Sequence, residues 1–184
     1  MATFEETTLN SESGFQFSIR SAQACDGENV LNFGKRVMDE SSDVLLTMPD
    51  ELDLTPEQES NWQNEMERNP NNLALVAIHK SEVVGFLDFS SGHRRRIAHT
   101  GEFGMSVEKK FRRNGIGSAL LDCLISWANN NSQIEKLNLQ VHATNKPAIA
   151  LYESKGFTVE GIRKKELKYS QNQYVDSVLM AAWV

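Results

Sequence analysis

The sequence predicts a mixed α/β domain, a mostly antiparallel sheet of six to seven strands with helices on both faces. Three observations lead there. Apolar residues alternate with polar ones in runs that meet at polar turns, the pattern of antiparallel hairpins. Other segments repeat their apolar residues at i, i+3 and i+4, and these helical segments separate the hairpins as crossovers. At 184 residues and 40% hydrophobic content, the chain is long enough to bury one full core.

In chain order, residues 1–14 (MATFEETTLNSESG) are polar and rich in Ser, Thr and Glu, and read as a flexible leader to a single domain over 15–184. Phe15, Phe17 and Ile19 alternate with Gln16, Ser18 and Arg20 as a first strand. Val30, Phe33, Val37 and Met38 recur at helical spacing over about Gly27 to Glu40. Leu45 to Met48 run into Pro49 and read as a loop. Thr55-Pro56-Glu57-Gln58 starts a second helix, with Thr as N-cap and Pro in the first helical position, and Asn69-Pro70 ends it after Arg68. Leu73–Ala77 and Val83–Phe89 form a hairpin about His79–Glu82. The turn Ser90–Arg96 leads to a strand over Ile97–Val107.

Ile116, Ala119, Leu120, Cys123, Leu124 and Trp127 then mark a helix buried along one face. Leu137, Leu139 and Val141 alternate in a strand within about 134–142. Asn145–Lys155 is a short helix closed by Gly156, and Phe157–Tyr169 pairs with Tyr174–Val184. The resulting order is β-α-α-β-β-β-α-β-α-β-β.

A formal net charge of -6 opposes binding to nucleic acid or an anionic membrane through bulk charge. No window carries the ~18 consecutive apolar residues of a membrane span, and the acidic, polar start is unlike a signal peptide. The expectation is a cytoplasmic protein with neither a nucleic-acid nor a membrane partner. Cys25 and Cys123 are far apart, without metal-ligand spacing, and Cys123 falls on an apolar helix face where packing is its natural role. His79, His93, His99 and His142 form no zinc-like set, so no metal is expected; His99, near Glu102, is the one that could contact a substrate. Arg94-Arg95-Arg96 reads as a solvated hairpin tip, with an anion-binding patch as the alternative.

The stretch most suited to chemistry is Arg112-Arg113-Asn114-Gly115-Ile116-Gly117-Ser118, between a strand and an amphipathic helix. A glycine at such a junction lets main-chain N–H groups approach a ligand, and the first helical turn adds unpaired donors and the positive end of a dipole. That makes a seat for a phosphate or pyrophosphate. A nucleotide P-loop fits poorly, since Ser118-Ala119 stands where Lys-Ser/Thr should follow and the spacing is short. On the later helix, Asn145, Ala148 and Tyr152 lie at i, i+3 and i+7, placing an amide and a phenol on one face with a small residue between. Taken alone, Asn145 could be only an N-cap and Tyr152 only a half-buried aromatic.

Together these motifs resemble the GNAT superfamily of acyl-CoA-dependent N-acyltransferases: Arg112-x-x-Gly115-x-Gly117 opening a helix, then a strand, then Asn145, Leu151-Tyr152-Glu153 and Gly156-Phe157. The tail Val159–Lys165 with Tyr174-Val175-Asp176 and Leu179-Met180 resembles bacterial members that acetylate ribosomal-protein N-termini or small amines. The likeness covers about Phe86 to Ala182. The resemblance implies that the central strands, about 97–107 and 134–142, splay apart to admit acetyl-CoA. Its pantetheine would pair with Met105, Ser106 and Val107, its pyrophosphate would rest on the N–H groups of Arg112 to Ser118, and Asn145 would bond the pantetheine arm.

The implied reaction is direct attack of a primary amine, on a small molecule or a peptide N-terminus, on the thioester. Alkyl amines of pKa ~10.4 and α-amino groups of ~8 need a base at neutral pH. Glu102 is the candidate base, acting through water; the alternatives for it are a solvent-facing position or an ion pair. Main-chain N–H near Met105 would stabilise the oxyanion, and Tyr152 is the implied general acid. Trp62, Glu65 and the loop Leu46–Glu51 fall in the region that shapes the acceptor site in similar proteins. A catalytically silent acyl-CoA-binding module is the second reading. Homodimers are common among similar proteins, although no residue pattern here establishes one.

Overall fold

The computed structural model describes residues 4–11, 13–41 and 44–184. The chain runs β1 (Thr7–Asn10), β2 (Gln16–Ser21), α1 (Gly27–Ser41), α2 (Pro56–Arg68), β3 (Leu73–His79), β4 (Glu82–Ser91), β5 (Thr100–Val107), α3 (Ile116–Asn129), β6 (Lys136–His142), α4 (Lys146–Ser154), β7 (Thr158–Ser170) and β8 (Gln173–Trp183). Among the described residues eight strands form one sheet in the order β1-β2-β3-β4-β5-β6-β8-β7. Every neighbouring pair is antiparallel except β5 and β6, which are parallel.

The eighth strand is the one the sequence reading left out. Thr7–Asn10, expected within a flexible leader, pairs with β2 from Thr7↔Ile19 to Asn10↔Gln16. Phe4 is tied down as well, donating its N–H to Ser21 Oγ at 2.7 Å and accepting from Ser21 N at 3.1 Å. Two threonines and a leucine suit a pleated edge, and β2 offers that edge. Residues 1–3 and 12 of the expected leader lie outside the described residues.

A second correction concerns β5, which begins at Thr100 instead of Ile97. Ile97 N–H bonds Arg94 O at 2.9 Å and Thr100 N–H bonds Ile97 O at 3.1 Å, so the chain is still turning there. The segment expected as loop before Pro49 leads into one 3₁₀ turn, Pro49–Glu51.

Strand alternation sorts the core onto two faces. From β3, Leu73, Leu75 and Ala77 pack on the α3 face, whereas Ala74 and Val76 pack under α1 and α2. Leu120, Leu121 and Leu124 of α3 are fully buried, each contributing roughly 1.5–3 kcal/mol of apolar burial. Thr55 caps α2 as its sequence implies: Thr55 Oγ1 accepts from Gln58 N at 3.2 Å while Gln58 Oε1 accepts from Thr55 N at 2.8 Å.

The end of α1 is bolted to the segment after β5. Buried Glu108 pairs with Arg36 at 3.2 Å and Lys110 at 2.8 Å, and Glu40 accepts from Lys109 N at 3.1 Å. One helix of the α1/α2 face is thereby held against the loop that opens α3.

Candidate active site

β5 and β6 register only at Thr100↔Lys136, Gly101↔Leu137 and Glu102↔Asn138, and Asn138 Nδ2 donates to Gly101 O at 3.1 Å to close that end. From Phe103 to Val107 the β5 edge has separated from β6. Three aromatic rings pack beneath this part of the sheet. Phe103, Tyr152 of α4 and Phe157 form an edge-on triangle with centroids 5.5 to 6.0 Å apart.

The loop Arg112–Ser118 stands at the open end of this gap. Arg113 has φ 64° and Gly115 φ 80°, so the chain makes two left-handed turns before α3 begins. Gly115 carries the φ requirement, and a side chain there would meet nothing within 4 Å. Gly117 has the opposite reason: its missing Cβ would lie 3.3 Å from Leu151 Cδ2 and 3.6 Å from Met105 Cε, between β5 and α4. The first intrahelical bond runs from Ala119 N to Gly115 O at 2.9 Å. In α-helical geometry the N–H groups of Ile116, Gly117 and Ser118 therefore point out of the helix end without an intrahelical acceptor.

Arg112 differs from expectation. Its N–H bonds Lys109 O at 3.3 Å, its Nε donates to Val107 O at 2.9 Å and its Nη2 donates to Ser41 Oγ at 2.6 Å. Arg112 thus braces the loop against β5 and α1. Asn114 does similar work, with Nδ2 donating to Phe111 O at 3.2 Å and Oδ1 accepting from Ser13 at 3.2 Å.

Asn145 is the N-cap of α4, its Oδ1 accepting from Ala148 N at 3.3 Å, so its amide NH₂ is the part suited to a ligand. Tyr152, one helical face further on, is only 7% exposed, and burial pushes its phenol up to about 12.

The opposite face of β5 carries acids. Since Phe103, Met105 and Val107 pack toward α3, strand alternation turns Glu102, Gly104 and Ser106 toward the α1/α2 side. Glu102 is exposed there, and among the described residues it forms no ion pair. Beside it is a residue the sequence reading missed. Asp88 on β4 sits opposite Gly104, its Oδ1 3.2 Å from where a Gly104 Cβ would be. Burial, with Glu59 and Glu102 adding repulsion, raises Asp88 to about 6. The available signal was a carboxylate between Leu87 and Phe89 in a strand otherwise fit for a core.

Beyond Ser106 this face opens into a cavity of about 400 Å³ between α1, α2 and the segment before α2, where Trp62 and Phe86 meet at 6.2 Å. Trp62 and Leu46 line it, whereas Glu65 is exposed on α2 and is not part of the lining.

The other sequence candidates fall elsewhere. Arg94–Arg96 project from the turn before Thr100, at the far end of β5 from the loop; its eight residues put roughly 24 Å between them. His79 stacks on Phe15 at 4.3 Å and His142 bonds Tyr169 at 2.7 Å. Cys123 is half-buried and its thiol is raised by burial to about 11. Among the described residues no cluster of His, Cys, Asp and Glu is arranged to hold a metal ion, and no helix is long and apolar enough to cross a membrane.

Comparison with known proteins places this geometry. Among its relatives, the chain is 33% identical over 120 residues to L-amino acid N-acetyltransferase AaaT of Escherichia coli, spanning 65% of this chain and 74% of that protein. It is 38% identical over 79 residues to the ribosomal protein bS18-alanine N-acetyltransferase of Salmonella typhimurium, spanning 43% of this chain and 52% of that one. A GNAT-family acetyltransferase from Streptococcus pneumoniae superposes with TM-score 0.88 at 27% identity, covering 91% of this chain and 99% of the other. The acetyltransferase yncA from Salmonella typhimurium, solved with its cofactor acetyl-CoA, shares the fold with TM-score 0.78 at 18% identity over 91% of this chain and 93% of its own. Residues 38–157, from the end of α1 through the loop and α4 to Phe157, match the acetyltransferase (GNAT) family, and the chain belongs to it.

Proposed function

We propose that this enzyme transfers the acetyl group of acetyl-CoA to a primary amine, with the donor in the β5–β6 gap and the amine on the Asp88–Glu102 side of β5. The observation that carries the reading is the early end of β5–β6 pairing at Glu102↔Asn138, with a bare helix N-terminus at the open end and two carboxylates across the strand. Bound acetyl-CoA supplies an activated thioester acetyl group.

The residues fit that donor. The freed β5 edge at Met105–Val107 offers main-chain groups to an extended pantetheine arm, and Asn145 offers an amide. The N–H groups of Arg113 to Ser118 suit its pyrophosphate, with Gly117 making room. Arg112 acts by holding this loop in shape.

On the acceptor side, the amine must lose a proton. An α-amino group of pKa ~8 is neutral in about one molecule in ten at pH 7, and an alkyl amine of ~10.4 in fewer than one in a thousand. Passing a proton from an α-amino group to an ordinary carboxylate of pKa ~4 is uphill by ~5 kcal/mol, and to a carboxylate at about 6 by ~3 kcal/mol. Asp88, opposite Gly104 on the α1/α2 side of β5 and raised toward the range of the amine, is suited to take this proton, and we assign it the base role, with Glu102 steering the ammonium. We assign Tyr152, protonated at every physiological pH, the role of proton donor to the departing thiolate, a transfer uphill by ~5 kcal/mol to a thiolate of pKa ~8.5.

The test is thiol release from acetyl-CoA against amino acids, polyamines, aminoglycosides and N-terminal peptides, alongside calorimetric titration of acetyl-CoA. Turnover of at least one amine is expected. Binding without turnover on any amine would indicate a silent acyl-CoA module, and no binding would overturn the reading.

A further inference from the structure

We infer that the preferred acceptor is a primary amine bearing a large apolar or aromatic group, which fills the cavity between α1 and α2 while its nitrogen faces Asp88. The inference rests on the acetyl-transfer reading above and gives it a substrate class.

The cavity falls in the range of small-ligand sites, roughly 300–1,000 Å³, at about 400 Å³. Its walls are apolar: Val30, Phe33 and Val37 from α1, Leu45 from the following segment, Trp62 from α2 and Phe86 from β4. Among the described residues its polar lining is Thr47, Gln58, Glu59 and Ser106, without a lysine or arginine. Ser106 joins the cavity to the reaction site. Two residues along the same face of β5 is Gly104, which has no side chain of its own and lies under Asp88 Oδ1. The pleat puts Gly104 ~7 Å from Ser106, so an amine under Asp88 would direct a substituent of phenylalanine size into the cavity.

The chemistry is segregated in the same sense. Asp88 and Glu102 lie on the sheet and attract the ammonium end, with Glu59 of α2 at the junction, while the Val30, Phe33, Val37, Leu45, Trp62 and Phe86 walls beyond reward apolar surface. At its mouth, Leu46 and Leu54 are 59% and 44% exposed, apolar surface of the kind a bound side group would cover. A polyamine or lysine-like tail would have to bury a cation in this largely apolar lining, where Glu59 is the one acidic residue among the described residues.

Wild-type enzyme with saturating acetyl-CoA is to be assayed by thiol release on matched acceptors: glycinamide, lysinamide and putrescine against phenylalaninamide, leucinamide and phenethylamine. The apolar acceptors are expected to have kcat/KM higher by on the order of 30-fold. Phenylalanine itself and a peptide beginning with phenylalanine separate a free amino acid from a chain terminus as the source of the amine. Turnover with equal or better use of glycinamide, lysinamide or putrescine overturns the inference and leaves acetyl transfer standing. Absence of turnover on every amine defeats the underlying reading.

Gly34 of α1 gives an independent check, because a Cβ there would lie 3.7 Å from Leu52 Cδ2 at the cavity wall. Gly34→Leu should raise KM for phenylalaninamide about tenfold with acetyl-CoA affinity unchanged, and Gly34→Ala should have little effect. An unchanged KM in a folded Gly34→Leu variant counts against the assignment, and should that variant not fold, the wild-type series decides.

Discussion

The α3 side of β5 presents mostly main chain to the gap: a strand edge freed from β6, the first N–H groups of α3, and glycines whose value is space or a left-handed turn. Its α1/α2 side presents side chains drawn from four separate elements, with Asp88 from β4, Glu102 and Ser106 from β5, Phe33 from α1 and Trp62 from α2. A main-chain site tolerates most substitutions and fails where a Cβ or a charge intrudes. A side-chain site changes by degrees, so on the proposed assignment specificity would drift on one side of the strand while donor binding is kept on the other.

The largest effect should come from intrusion on the main-chain side. Gly117→Glu places a side chain against Leu151 and Met105 and an anion beside the proposed phosphate seat, and acetyl-CoA binding should be abolished. A folded variant that titrates with wild-type affinity would remove the loop from the donor site.

On the other side, Asp88→Asn should lower kcat by about 10²–10⁴ without altering acetyl-CoA affinity. In the wild type the rate should fall as pH drops through about 6, where Asp88 takes up its proton, and the variant should lose that limb of the profile. A limb that persists in Asp88→Asn would transfer the base role to Glu102.

Tyr152→Phe should cost turnover about 10- to 100-fold while acetyl-CoA binding stays within a factor of two. Unchanged turnover would reduce Tyr152 to its packing against Phe103 and Phe157.

The smallest effect is on stability. Burial holds Asp88 at about 6 against 3.8 in the open chain, so the folded protein binds this proton more tightly than the unfolded one. The ionised carboxylate therefore costs stability above pH 6, and the cost disappears as pH falls toward 4. Urea denaturation should find Asp88→Asn more stable than wild type by about 1–3 kcal/mol at pH 8, with the difference gone at pH 4. Equal stability at pH 8 would mean that Asp88 is better solvated than its position beside Gly104 implies.

The same contrast explains what could be read in advance. Capping residues, glycines and period-two runs act over a few neighbouring positions, so Thr55, Asn145, Gly115 and the hairpins were visible in the chain. The leader was misread because Thr7–Asn10 is a strand only by virtue of the β2 edge beside it. The strand expected at Ile97 starts late because hydrogen bonds at Arg94, Ile97 and Thr100 keep the turn closed, a balance that periodicity does not record. Arg112, expected to offer its main-chain N–H to a phosphate, bonds that group to Lys109 O and turns its side chain inward to Val107 and Ser41, the latter 71 residues away.

The sequence by itself determined the mixed sheet, the glycine-opened helix and the order of the motifs, since each follows from local backbone chemistry. Tertiary structure decided the rest. It alone set Asp88 over Gly104 across two strands, joined Ser106 to a cavity walled by α1 and α2, and raised a carboxylate by burial among residues distant in the chain. Desolvation and shape depend on everything that surrounds a group, and that surrounding exists only once the chain has folded.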